Sequence, residues 1–289
     1  MLQVVFVKWG TKYSAAYVNA LVEATLANTT AEVRFVCLTD DDKGLDERIV
    51  ALPFPDLGVP EDALKARGGS LLKLGIFVEG VLKDGVETAY IDLDSAVMGD
   101  IERLAWCLKQ KRGLYSLSRH AIQYWRVPGL MKLIAPKRYY LSNTAIMAFY
   151  PEDWRFIPKE FRETYHRFHE GDETLDPDLK KLYVGGNEYI ISHAAQGKLR
   201  VFPRDVAIKF TQEYMSPILA IAKLKNHMPW IKARRKRQAV LTFHGVSLKP
   251  EYLVDMEEGQ LVTHKFHKTI WRYPEIRDYW RRMLAVDAG

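Results

Sequence analysis

Four short apolar runs, divided by segments of helical spacing, constrain the fold of this 289-residue chain more than any other feature. Residues 4–7 read as a buried strand, and 33–38 as a second that ends in the acidic turn Asp40-Asp41-Asp42. Residues 49–52 form a short third, closed by Pro53 and Pro55, and 88–91 a fourth. Between them, 13–27 and 70–81 carry apolar positions at helical spacing. Alternation of this kind predicts an α/β fold, a mostly parallel sheet with helices on both faces. From about residue 151 the pattern becomes helical and irregular, with a late strand at 239–243 and an aromatic, basic stretch at 265–283. No internal repeat or low-complexity tract interrupts it, so a single domain over 1–289 is expected.

Charge and cysteine usage narrow the setting. Forty-two Lys and Arg against 36 Asp and Glu give a net charge of +6, which favours anionic partners without choosing among them. Only Cys37 and Cys107 are present, each among apolar neighbours, so no disulfide framework is expected and a reducing cytoplasm is the simpler setting. The first ten residues follow a strand pattern and lack the basic and long apolar regions of a signal peptide. No apolar run reaches the roughly 18 residues needed to span a bilayer, so any membrane contact is expected to be peripheral, at the inner face.

In open α/β sheets, ligands bind beyond the carboxyl ends of the strands. Three strand exits carry polar chemistry here: Lys8-Trp9-Gly10, Thr39-Asp40 and Asp92-Leu93-Asp94. The last is the most telling. Residues i and i+2 of a strand project to one side, so both carboxylates are expected to reach one ion. Two like charges buried together are costly unless a cation neutralises them. Oxygen ligands with one imidazole suit Mn²⁺ or Mg²⁺. A strand that merely ends in an acidic turn is the competing account.

Four stretches in order extend this pattern: Leu72-Lys73-Leu74, Tyr90-Ile91-Asp92-Leu93-Asp94, Ser142-Asn143-Thr144-Ala145-Ile146-Met147, and Phe243-His244-Gly245 with Lys249-Pro250 behind. Together they resemble the glycogenin and bacterial lipopolysaccharide galactosyltransferase group, family 8 glycosyltransferases of the GT-A type. The resemblance implies a GT-A, Rossmann-like fold, with a nucleotide-binding half at 1–150 and an acceptor half at 151–289. It implies a retaining hexosyltransferase of polysaccharide biosynthesis that uses a nucleotide sugar, a UDP-sugar, and a glycan or lipid-linked acceptor. Asp92, Asp94 and His244 would be the metal ligands. Lys73 and Lys249 would add positive charge where the departing diphosphate gathers negative charge. Trp9, Tyr13, Thr39, Asp40 and Leu93 would hold base, ribose and diphosphate, while Asn143, Asn187 and Glu188 would orient the sugar, the last two as catalytic groups.

The chain departs from the family at four places. The first loop, Trp9-Gly10-Thr11-Lys12-Tyr13, keeps the base-stacking Tyr but lacks the usual acid. Ala145 stands where the family has Gly. Aligned on Gly245, the metal-binding His falls at Thr242, two residues from His244. An Asp-Gln pair is replaced by Asn187-Glu188.

Two further stretches suggest contacts. Residues 232–237 form the densest positive run, either a solvated face or an acceptor or membrane dock. Trp271, Arg272, Tyr273, Tyr279, Trp280, Arg281 and Arg282 combine aromatic and cationic groups suited to a lipid headgroup zone, or to packing the last helix on the core. Two other classes compete: a haloacid-dehalogenase-type phosphatase using Asp92 and Asp94, and a basic nucleic-acid-binding module. No nucleic-acid motif supports the latter, so no nucleic-acid partner is expected.

Overall fold

The computed structural model describes residues 1–118, 142–175, 186–243 and 245–284. Strand β1 (Leu2–Lys8) leads into α1 (Ala15–Asn28), then β2 (Val33–Thr39), β3 (Ile49–Leu52) and α2 (Glu61–Gly69). A 3₁₀ segment (Ser70–Phe77) precedes β4 (Thr88–Ile91), β5 (Ser95–Val97), α3 (Glu102–Gln110) and β6 (Leu114–Ser118). Then come β7 (Ser142–Phe149), α4 (Phe156–His169), α5 (Asn187–Ala194), β8 (Leu199–Val201), β9 (Ala207–Lys209) and α6 (Phe210–Glu213). The described part closes with α7 (Leu219–Lys225), α8 (Pro229–Arg235), β10 (Val240–Thr242), α9 (Pro250–Leu253), the hairpin β11 (Leu261–His264) and β12 (His267–Ile270), and α10 (Pro274–Leu284).

Seven strands form the main sheet in the order β3-β2-β1-β4-β7-β6-β8. Its β1–β2, β1–β4, β2–β3 and β6–β8 pairings are parallel, and β7 runs antiparallel to both neighbours. Successive side chains of each central strand enter opposite layers. Val4, Phe6, Phe35, Cys37, Ala89 and Ile91 pack with α1, α3 and α10. Val5, Val36, Leu38, Tyr90, Met147 and Phe149 pack with the 3₁₀ segment, α4 and α5. A strand with both faces covered must be apolar throughout, which is why these runs lack a polar face.

A smaller sheet, β5-β10-β9, stitches the first half of the chain to the second: β5 pairs antiparallel with β10, with Thr242 opposite Ser95. β8 likewise joins the main sheet beside β6.

Two expectations need correction. The helix expected over 70–81 is instead a 3₁₀ segment that stops at Phe77. Gly68 and Gly69, both left-handed, end α2 directly ahead of it, and residues 71–77 are buried on every side, so no amphipathic stripe governs its winding. The aromatic side chains near the end do not face a lipid zone. Trp271, Tyr273, Tyr279 and Trp280 are all buried in the larger core layer, whereas Arg272, Arg281 and Arg282 are exposed. The positive run is also partly spent inside the fold, since Arg234 and Arg235 pair with the buried Glu213 and Arg237 pairs with Asp205. No helix among the described residues is long and apolar enough to cross a membrane.

Candidate nucleotide-sugar cleft

The carboxyl ends of β1 and β4 open into a cleft of about 380 Å³. Its walls come from the β1 exit, the Gly68-Gly69-Ser70 bend, the turn after β4, the start of β7 and the start of α5. Trp9 forms one side. Its indole Nε1 donates to the Gly68 carbonyl at 2.9 Å, and its ring lies where a Cβ on Gly69 would stand, 2.1 Å from the nearest ring atom. Gly69 also has φ +69°, so both the turn and the close approach of Trp9 require glycine there.

Asp92 and Asp94 do not lie at alternate positions of one strand, as the sequence suggested. β4 ends at Ile91, and a turn closed by the Ser95 N–H on the Asp92 carbonyl, at 3.1 Å, carries both acids before β5 begins. That turn presents both of them to the cleft while Leu93 between them is buried in the core. Each acid is matched by a lysine. Lys73 Nζ donates to Asp92 at 2.9 Å and to the Thr144 carbonyl at 3.1 Å, and sits 4.5 Å from the Tyr90 ring centre. The Tyr90 hydroxyl also donates to Asp92. On the other side Lys249 Nζ donates to Asp94 at 2.6 Å and the Tyr13 hydroxyl does so at 3.2 Å, with Lys249 also bonded to Tyr13.

These contacts set the electrostatics. Burial raises the Asp94 carboxyl above its ordinary range, the neighbouring charge of Asp92 raises it further, and Lys249 opposes both. Burial, with the negative field of the two acids, also raises the Tyr13 and Tyr90 phenols, so both remain hydrogen-bond donors at neutral pH.

At the far wall, the Asn143 amide donates to Glu188 at 2.6 Å. Asn187 is tied at both ends, accepting from the Thr144 hydroxyl at 2.6 Å and donating to the Ser70 carbonyl at 2.8 Å. Its amide therefore links β7 to the bend at Ser70.

Of the residues singled out in the sequence, Trp9, Tyr13, Lys73, Asp92, Leu93, Asp94, Asn187 and Glu188 line the cleft, with Lys249 and Asn143 bonded directly to lining side chains. Thr39 and Asp40 do not line it. The Thr39 hydroxyl donates to the Asp41 carbonyl at 2.8 Å within its own turn, and both Asp40 oxygens accept from the Gly10 N–H, at 3.1 and 3.0 Å, which ties the first loop to the end of β2. His244 lies outside the described residues. Sequence reasoning missed Lys12, Tyr90, Thr144 and the Gly68-Gly69 doublet, all of which line the cleft. The glycine doublet was the signal available for that bend; nothing local marked the others.

The acid pair has the donor chemistry for a hard divalent cation. Both side chains offer oxygen, and among the described residues no donor reaches Oδ2 of Asp92 or Oδ1 of Asp94. No group of three His, Cys, Asp or Glu side chains among the described residues forms a metal cluster, so a third protein ligand would have to come from elsewhere, His244 being the one the sequence offers.

No protein family's sequence profile matches the chain, and no curated protein sequence does either. Solved structures do resemble it. The galactosyltransferase LgtC, in complex with donor and acceptor sugar analogs, superposes with a TM-score of 0.51 at 16% identity, over 86% of this chain and 89% of that one. The bifunctional glycosyltransferase WbbM gives 0.51 at 12% identity, over 86% of this chain and 46% of that one. The glycosyltransferase GlyE of Streptococcus pneumoniae gives 0.50 at 14% identity, over 99% and 63%. The chain has the GT-A fold.

Proposed function

We propose that this GT-A chain is a metal-dependent glycosyltransferase, moving a hexose from a UDP-sugar to a glycan or lipid-linked acceptor with retention of configuration. The observation that carries the proposal is the pair of aspartates at the tip of β4, each matched by a lysine, in a cleft beyond the carboxyl ends of β1 and β4. The glycosyltransferase identity of the similar structures supports the same class of chemistry.

In this account Asp92 and Asp94, with His244, would hold Mn²⁺ or Mg²⁺, which would supply positive charge against the departing diphosphate. Lys73 and Lys249 supply fixed positive charge beside the same acids, and their contacts to Tyr90 and Tyr13 keep them in place before substrate arrives. Trp9 and Tyr13 offer flat faces to a base along the first loop. Asn143, Asn187 and Glu188 would orient the sugar, the last two as catalytic groups. The phosphatase alternative fits poorly, because its nucleophile loop follows the first strand, whereas β1 here ends in Lys8-Trp9.

A thermal-shift panel of UDP-, GDP- and CMP-sugars, with and without Mn²⁺, tests the proposal. The expected result is stabilisation by a UDP-sugar that requires Mn²⁺ and disappears in Asp94→Ala. Silence toward every nucleotide, with hydrolysis of p-nitrophenyl phosphate, would transfer the case to the phosphatase.

A further inference from the structure

A second cavity, of about 510 Å³, opens between the ends of β6 and β9, α6 and the β11–β12 hairpin. Its charge is one-sided. Arg204, Lys209, Lys225, Lys265, His264 and His267 line it, and no Asp or Glu is among its described lining residues. The acid beside it, Glu213, is fully buried and already shared by three guanidinium groups, from Arg204 at 3.3 Å, Arg234 at 2.7 Å and Arg235 at 3.9 Å.

The lysines are built into the wall. Lys209 is 6% exposed. Lys225 Nζ donates to the carbonyls of Gln212, at 3.2 Å, and Met215, at 2.8 Å, which uses two of its three N–H groups. Burial holds the Lys225 ammonium below its ordinary range, and burial together with His264, Lys225, Lys209 and Lys265 does the same to His267. Positive charge collected in a half-enclosed space raises its own energy unless an anion enters.

The cavity adjoins the cleft through the sheets. Lys209 lies opposite Thr242, and Thr242 opposite Ser95, the residue after Asp94. On the other side Ser118 pairs with Ser142, next to Asn143. We propose that this cavity binds a phosphate-type anion carried by the acceptor, seating it beside the donor cleft. The assignment to an acceptor rests on the glycosyltransferase reading; the anion site itself does not. The apolar rim, with Phe266 64% exposed at the hairpin tip and Ile218 58% exposed after Pro217, suits a phosphate attached to a lipid chain.

Calorimetric titration of the full chain with inorganic phosphate, without nucleotide or metal, tests the site. Lys209→Met keeps the stem and removes the charge. Lys265→Asn removes an exposed charge at a residue with φ +54°, a conformation Asn tolerates, and so serves where the buried variant folds poorly. Each is expected to weaken phosphate binding about tenfold or more, the worth of one charge-assisted hydrogen bond. Lys73→Met, in the cleft, is expected to leave it unchanged. Affinity unaltered in both cavity variants, affinity lost in Lys73→Met, or no binding by the wild type overturns the proposal. Decyl phosphate and glucose 1-phosphate form the second arm, against decyl maltoside and glucose. Tighter binding of decyl phosphate assigns the anion to a lipid, and tighter binding of glucose 1-phosphate to a soluble sugar phosphate. Should the nucleotide panel be silent while phosphate still follows the cavity lysines, the anion site stands and its link to an acceptor falls.

Discussion

Lys73→Met is the sharpest perturbation of the cleft, because it removes one ammonium and keeps nearly the same volume. In the native fold that ammonium pairs with Asp92 at 2.9 Å, donates to the Thr144 carbonyl and lies over Tyr90. The Lys73 side chain is 9% exposed and that of Asp92 31% exposed, so the pair sits between two known regimes. An exposed ion pair is worth about 0–1 kcal/mol, whereas removing one partner of a buried pair costs about 3–5 kcal/mol. A loss of about 2–3 kcal/mol is therefore expected, which in a chain of this size lowers the melting temperature by about 3–5 °C. Calorimetric melts of the wild type, Lys73→Met, Asp92→Asn and the double variant measure it. Direct partners should couple by about 1 kcal/mol or more, and single losses that add to within about 0.5 kcal/mol would refute the pairing. A second readout bears on the cation. Lys73→Met leaves Asp92 and Asp94 less compensated, so Mn²⁺ should raise its melting temperature by more than it raises that of the wild type. An equal or smaller rise would count against a cation between the two acids.

Three further outcomes follow from the same geometry. Gly69→Ala forces a Cβ into the Trp9 ring at a left-handed backbone position; a loss of about 1–3 kcal/mol is expected, with a shift in tryptophan emission, and an unchanged spectrum would show that the contact is absent. Trp280→Ala removes a side chain only 1% exposed and packed against Phe243, so a loss of about 3–5 kcal/mol is expected without any change in binding to anionic vesicles. Vesicle binding that falls while the fold stays intact would restore a lipid-facing role to this helix. Burial pushes the Cys37 thiol up to about 12 and the Cys107 thiol up to about 11, so at pH 8 almost no thiolate exists at either. Mass spectrometry after iodoacetamide at pH 8 should find both unmodified in the native chain and both alkylated in urea; rapid native labelling would contradict this burial.

The sequence alone determined the parallel core of the fold. Strands β1, β2 and β4 are legible because both their faces are buried, and burial on both faces writes an unbroken apolar run whose polar exits then mark the ligand side of the sheet. The same logic found Asp92 and Asp94, since two acids at the end of such a run are conspicuous. What surrounds them was decided only in three dimensions. Tyr90 reads as a core residue of β4 until its hydroxyl is seen on Asp92, and Lys249 lies 155 positions from the acid it pairs with. Asp40 was conspicuous as an acid at a strand exit, but that its carboxylate accepts from the Gly10 N–H, 30 positions away, only the fold shows. The aromatic tail shows the limit most clearly. Trp, Tyr and Arg in alternation suit a lipid surface and a packed helix equally well, and only the position of α10 against β5 and α1 turned the rings inward. Local pattern fixes which side chains seek burial; the partner that buries them comes from contacts far apart in the chain.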